Sequence, residues 1–476
     1  MSATTIEELR ARHGDRYKWL VLITVMVGMM GSILSSTIVN VAVPDLSRHF
    51  MLSHERAQWV AAAFMMSMML SLLVTPWLLG RYGMRRTYIG ANLLLGAGGI
   101  AAGCAFNFDF LITMRVVEGL AAGVLQVLPN IVIMRAFGPG EQGRATGIFG
   151  FGVVMAPALG PSIGGVLVEH LGWRSIFFSV LPFCIAAIWL TRRYLPMVST
   201  MIEAKKPLDW PGIVWIGVSA VGLLNGLVAL QDSHSFVPAA VVIASLMGFA
   251  SFVFYQLRAA HPLLNVRLFA HRQVAVGSAV AFAHGFAIFG STYLVPVFLQ
   301  TALGYTPSQA GVALLPAGLA LAIIMPLGGR LADRWPPAPL VSAGLLVVAA
   351  SFVLTGSVEK TTAYAVVLGW ILMGRVGIGI MASSLTLGSL RGLPQNDISQ
   401  AASMNAFVRQ FGGAAGISII GSVLHWRMVV NGGGAEPAEQ SPPYIHAFEE
   451  AFWFLAIFSF IAAITGWFLK PAPHAR

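Results

Sequence analysis

The sequence predicts an all-α integral membrane protein with 14 transmembrane helices, and three observations carry that expectation. Of its 476 residues 57% are hydrophobic and 10% charged, with a mean hydropathy of +0.77, whereas an ordinary soluble domain carries about 25% charged residues. Apolar runs of bilayer length, which takes about 20 residues, recur along the whole chain. Basic residues collect in alternate short stretches between those runs, the asymmetry that marks cytoplasmic loops.

In order, the runs cover 18–43, 57–80, 87–106, 109–134, 145–168, 173–191, 211–230, 236–257, 273–300, 308–329, 338–357, 362–387, 400–424 and 447–469. The opening residues 1–17 are polar, with no short apolar stretch and small-residue cleavage site behind them, so the first span is expected to insert uncleaved. With the N-terminus inside, 21 of the 29 basic residues lie on the cytoplasmic side. Arg48, Arg56, Arg174, Lys360 and Arg427 fall outside, while Arg115, Arg375 and Arg409 lie within spans. Both termini are then cytoplasmic, and the pI near 10.0 reflects topology; no basic face or reader motif points to nucleic acid.

The longest inner stretch follows the sixth span and holds Arg192, Arg193, Lys205 and Lys206. It divides the chain into a cytoplasmic segment (1–17), a six-helix bundle (18–195), a linker (196–209), an extra helix pair (210–257), a second linker (258–272), a second six-helix bundle (273–470) and a tail (471–476). Within the second linker, 261–273 reads equally as a short amphipathic element or as plain connection. The outer stretch 425–446, with its NGGGAEPAEQSPP composition, reads as flexible linker.

Charges at bilayer depth are the first candidates for function. Each costs at least about 2.5 kcal/mol on insertion scales, so such residues face a bundle interior and serve transport or proton relay. Arg115 and Glu118 stand three residues apart on one face of the fourth span and can meet there, either as a proton-handling pair or as an ion pair that fastens helices. Arg375 and Arg409 have no acid beside them in sequence; His284 is a lone histidine mid-span, and Asn405 adds a polar group ahead of Arg409. In the fifth span Gly152, Ala156, Gly160 and Gly164 recur every four residues with Pro157, Pro161 and Gly165 each following one of them, a stripe that admits another helix closely. After the second span, Gly83 permits a tight turn beside Arg85 and Arg86; a related string, GGRLADR, ends in Asp333 and Arg334, so the halves carry similar inner loops.

Cys104 and Cys184 both sit in apolar runs, so no disulfide framework, metal cluster or cofactor is expected. There is no H-E-x-x-H and no P-loop lysine, which disfavours an enzyme.

Taken together, STIVNVAVP (36–44), WLLGRYGMRR, RVVEGLAAG, APALGPSIGG (156–165), GWRSIFF, RGLP and VRQFGG resemble the major facilitator superfamily, in its fourteen-span drug:proton antiporter branch of the EmrB/QacA type. The resemblance implies two six-helix bundles, an extra pair between them and alternating access, with export of lipophilic compounds through the cytoplasmic (inner) membrane in exchange for protons. It also permits a periplasmic adaptor and an outer-membrane channel as partners, 425–446 being the candidate contact. Three positions depart from the branch: Ser35 and Gly80 stand where relatives carry acids, and Glu118 where Gln is common. A carboxylate has thus moved from the first helix to the fourth, and Glu118 with Arg115 becomes the expected proton-coupling pair. Ser35, Asn40, Asn405, Arg409, Arg375, His284 and Tyr293, with Met29, Met30, Phe64, Met65 and Phe289, are the expected cavity residues. The alternative is dedicated export of an endogenous metabolite such as a siderophore or fatty acid.

Overall fold

The computed structural model describes residues 13–52, 54–195, 207–230, 236–358, 362–433 and 437–469; expectations for residues 1–12, Lys205, Lys206, Lys360 and the tail lie outside them. Among the described residues there is no strand. The helices are α1 (Arg16–His49), α2 (His54–Gly103), α3 (Phe108–Ala136), α4 (Gln142–Leu171), α5 (Ser175–Phe178), α6 (Leu181–Tyr194), α7 (Trp210–Ala229), α8 (Phe236–Arg258), α9 (Arg272–Val297), α10 (Pro307–Arg334), α11 (Pro337–Gly356), α12 (Tyr364–Leu390), α13 (Gln395–Asn431) and α14 (Pro442–Gly466).

Twelve helices among the described residues are long and apolar enough to cross a membrane. One of these, α2, joins two of the expected spans in a single 50-residue element broken at Gly83, and the 30-residue α4 covers the fifth apolar run. That amounts to twelve to fourteen candidate spans. At Gly83 φ is 77°, a left-handed backbone that costs glycine nothing and lets the chain bend without leaving helix on either side.

Local chemistry places the helix ends. The Asn107 side chain accepts the Phe110 N–H at 2.7 Å to start α3, and Thr306 and Gln309 form a reciprocal capping box on α10. Proline opens α6, α7, α10, α11 and α14, where its missing N–H leaves no helical bond unmade.

The chain divides into two compact units, Met1–Leu208 with Leu393–Phe407, and Asp209–Gly392 with Val408–Arg476. In the first unit, Leu34, Ile38, Leu46, Val60, Leu111 and Phe177 form a core, and α2 meets α3 closely because Gly119 lies on the Phe64 carbonyl. In the second, Phe286, Phe298, Phe352, Phe448 and Phe452 form the core. Gly377 packs on the Gly344 carbonyl between α12 and α11. Large apolar side chains such as Ile185, Val214, Ile323 and Ile461 are exposed while Arg115, Glu118 and His284 are buried. That inversion of a water-soluble surface is what a lipid solvent selects.

The extra pair α7 and α8 groups with the second unit. Ser422 donates to the Leu227 carbonyl at 3.1 Å, and the Phe249 and Phe411 rings lie 5.1 Å apart. Asp209, buried, accepts from the Gly212 N–H (2.9 Å), Tyr255 Oη (2.9 Å) and Gln256 Nε2 (2.8 Å), and so ties the two helices at one end. The linker at 261–273 contains a 3-10 turn, Val266–Ala270, with Val266 and Leu268 buried.

One expectation changes. Much of 425–446, read as flexible linker, is helix, since α13 runs to Asn431 and α14 starts at Pro442. Arg427 pairs with Glu450 there, and Asn431 Nδ2 reaches the same carboxylate at 3.0 Å, which carries both helices past their charges. The sixth run keeps its span, Ser175–Tyr194, with a two-residue turn in helical backbone between α5 and α6.

Candidate functional site

In α3, one helical turn brings Arg115 and Glu118 to the same face, and both side chains are fully buried. Arg115 Nη1 donates to Glu118 Oε2 at 2.5 Å and to Ser35 Oγ at 3.0 Å. Nη2 donates to the Ser35 carbonyl at 3.3 Å and Nε to the Val60 carbonyl at 3.0 Å, so α1 and α2 share the guanidinium with α3. Its flat face lies over the Phe64 ring, 4.3 Å from the centroid, in cation–π geometry.

Glu118 is less fully bound than its partner. Oε2 takes the Arg115 bond, whereas Oε1 is buried with no hydrogen-bond partner among the described residues. It faces the second limb of α2, where a methyl on Gly99 would come within 3.2 Å of Oε1 and one on Gly98 within 2.8 Å of Glu118 Cγ. Two glycines therefore make room for the carboxylate. A buried carboxylate oxygen without a donor is expensive as an anion and relieved by a proton.

Ser35, buried, belongs to this cluster, and Phe64 lies beneath Arg115. Of the fifth-span stripe, Gly152, Gly160 and Gly164 face α1: added methyls would meet Met26 Sδ, Thr37 Oγ1 and Ile38 Cγ1, each at 2.7 Å. Ala156 is buried, and Gly165 has open space around it. The side chains of Pro157 and Pro161 lie outside the described residues.

At the loops expected to face the cytoplasm, Arg85 Nη2 donates to the Arg192 carbonyl at 3.0 Å, and Arg86 is exposed. Asp333 accepts from Arg391 at 3.2 Å, while Arg334 is exposed. Burial lowers the proton affinity of the Arg391 guanidinium and the Asp333 charge beside it opposes that shift. Arg391 was visible in sequence only within the RGLP string, 58 residues from its partner. Of the other expected cavity residues, Asn40 and Tyr293 are exposed, His284 is buried, and Arg375 and Arg409 are partly buried. Asn405 belongs to the first unit and these last four to the second. His284 Nε2 has no partner among the described residues.

A chain of bilayer-length helices, packed through small residues around a buried ion pair, is a membrane transport protein by class. It belongs to the Major Facilitator Superfamily, whose family model matches residues 25–417. It is 30% identical to the Multidrug resistance protein Stp of Mycobacterium tuberculosis (strain CDC 1551 / Oshkosh) over 416 residues, 86% of this chain and 76% of that one. To the Lincomycin resistance protein LmrB of Bacillus subtilis (strain 168) it is 26% identical over 477 residues, 98% of each chain. Its fold is shared with the proton:xylose symporter XylE, at a TM-score of 0.66 and 13% identity, over 95% of each chain.

Proposed function

We propose that this transporter exports lipophilic compounds across the cytoplasmic membrane in exchange for protons, by alternating access. The reading includes fourteen spans arranged as 18–195, an extra pair at 210–257 and 273–470, with both termini cytoplasmic, as in the EmrB/QacA branch. The multidrug and lincomycin resistance relatives support export of such compounds. Proton coupling rests on one observation, the buried Glu118 with one oxygen on Arg115 and the other unpartnered.

A proton taken up on Oε1 cancels the carboxylate charge and weakens its hold on Arg115, which keeps its bonds to Ser35 and Val60. The proton thus frees the guanidinium from its own helix while its bonds to α1 and α2 remain, and the tie within α3 returns when the proton leaves. The packed contact of α4 on α1 is the element that moves, with Arg85, Arg86, Asp333 and Arg334 at the inner face. In proteoliposomes the wild type is expected to show substrate-driven proton flux, and Glu118→Gln to lose at least about 90% of it while still binding substrate. Full flux in that variant would remove Glu118 from the reading.

A second reading, dedicated export of one endogenous metabolite such as a fatty acid or siderophore, is favoured by Arg409. That guanidinium has no ion-pair partner among the described residues and can meet a carboxylate. A deletion strain that accumulates one metabolite, with unchanged sensitivity to dyes and biocides, selects this reading over broad efflux.

A further inference from the structure

The two units carry the same arginine motif with different fourth residues. Arg115-Val-Val-Glu118-Gly119 of α3 corresponds to Arg375-Val-Gly-Ile378-Gly379 of α12. In the first unit the carboxylate at the fourth position sits on the guanidinium. In the second that position is isoleucine, and Arg375 makes no hydrogen bond or ion pair among the described residues. Beside Arg375 the second unit has a cavity of about 20 Å³, bordered by Ser291, Ser351 and Thr355 on a wall that is otherwise mostly apolar, Val295 and Phe352 among it. A guanidinium at bilayer depth is stabilised by an opposite charge or by carbonyl acceptors; Arg115 has both, and Arg375 has neither among the described residues.

The polar part of the lining consists of hydrogen-bond donors beside a cation. Ser291 Oγ donates to the Ile288 carbonyl at 3.0 Å, Ser351 Oγ to the Trp370 carbonyl at 2.6 Å and Thr355 Oγ1 to the Ser351 carbonyl at 2.8 Å. Each of these acceptors lies within a helix, so a hydroxyl that turns its proton toward an ion leaves that carbonyl its main-chain partner. Three hydroxyls and a guanidinium border this one cavity, which has room for a single small ion. Its size decides which, because a water-sized particle takes about 10–15 Å³ of such space and an organic headgroup needs far more.

We propose that the second unit binds one chloride ion between Arg375 and the hydroxyls of Ser291, Ser351 and Thr355, as the counter-charge that Glu118 provides to Arg115 in the first unit. The site does not depend on the export reading, and its test needs no transport. Purified full-length protein is unfolded thermally in sodium chloride and in sodium gluconate at equal ionic strength. The wild type is expected to melt about 3 °C higher in 100 mM chloride, since an ion bound only by the folded state stabilises it. Ile378→Glu, which rebuilds the internal pair, and Arg375→Gln, which removes the cation, are each expected to lose that gain. A crystal grown in sodium bromide is expected to show anomalous scattering beside Arg375. Equal melting in the two salts, an undiminished chloride gain in Ile378→Glu, or no bromide signal at Arg375 would each overturn the proposal.

Discussion

At the scale of single residues, Arg115 Nη1 has two acceptors, Glu118 Oε2 from its own helix and Ser35 Oγ from α1. A carboxylate placed at either position reaches the same nitrogen. Ser35→Asp combined with Glu118→Gln is therefore expected to restore substrate-driven proton flux to within about tenfold of wild type, where Glu118→Gln alone has lost it. Glu118→Ala is a different case, because it strands the buried guanidinium; breaking a buried pair from one side costs about 3–5 kcal/mol. That variant is expected to lose most of its detergent-extractable, monodisperse population, read by size-exclusion chromatography, while Glu118→Gln keeps an acceptor for Arg115 and stays folded. The pair itself was legible in sequence because three residues on a helix are one turn. The part played by Ser35 was not, since 80 residues separate it from Arg115 and only packing brings α1 against α3.

Among helices, the contact of α4 on α1 rests on glycines that differ in what they touch. A methyl at Gly164 meets Ile38, whose branched Cβ has little rotameric freedom, and one at Gly152 meets the end of flexible Met26. Gly165 has open space, and alanine there even gains helix propensity of about 1 kcal/mol. Export in a dye-efflux assay is accordingly expected to fall about tenfold in Gly164→Ala, less in Gly152→Ala, and not at all in Gly165→Ala. Loss of export in Gly165→Ala at normal expression would mean that sequence spacing, not contact with α1, sets the role of this helix. Each of the apolar runs falls on helix, because about 20 apolar residues in lipid have no other way to satisfy their backbone. What the runs could not reveal depends on distant partners: Arg427 and Glu450, 23 residues apart, extend α13 and α14 into a stretch whose composition reads as linker.

At the scale of the whole molecule, the proposed orientation rests on where the arginines are retained, and the two native cysteines offer a direct test of it. Cys104 is exposed where α2 ends, and Cys184 is buried in α6. In the proposed orientation, with the N-terminus inside and three spans before it, Cys104 falls on the outer face, so a membrane-impermeant maleimide added to whole cells is expected to label it and leave Cys184 unmodified. The same chemistry decides whether α7 and α8 both cross. In a Cys104→Ser background, Leu230→Cys places a thiol just beyond α7, at a side chain already exposed in the wild type. Labelling from outside the cell is the outcome of two full crossings, because an odd number of spans then precedes it. Labelling only after the membrane is opened would mean that the pair enters and leaves on the inner side. The core would then have twelve spans, and Asp209, which binds Tyr255 and Gln256 at the joined end of α7 and α8, would hold a re-entrant hairpin rather than an extra pair.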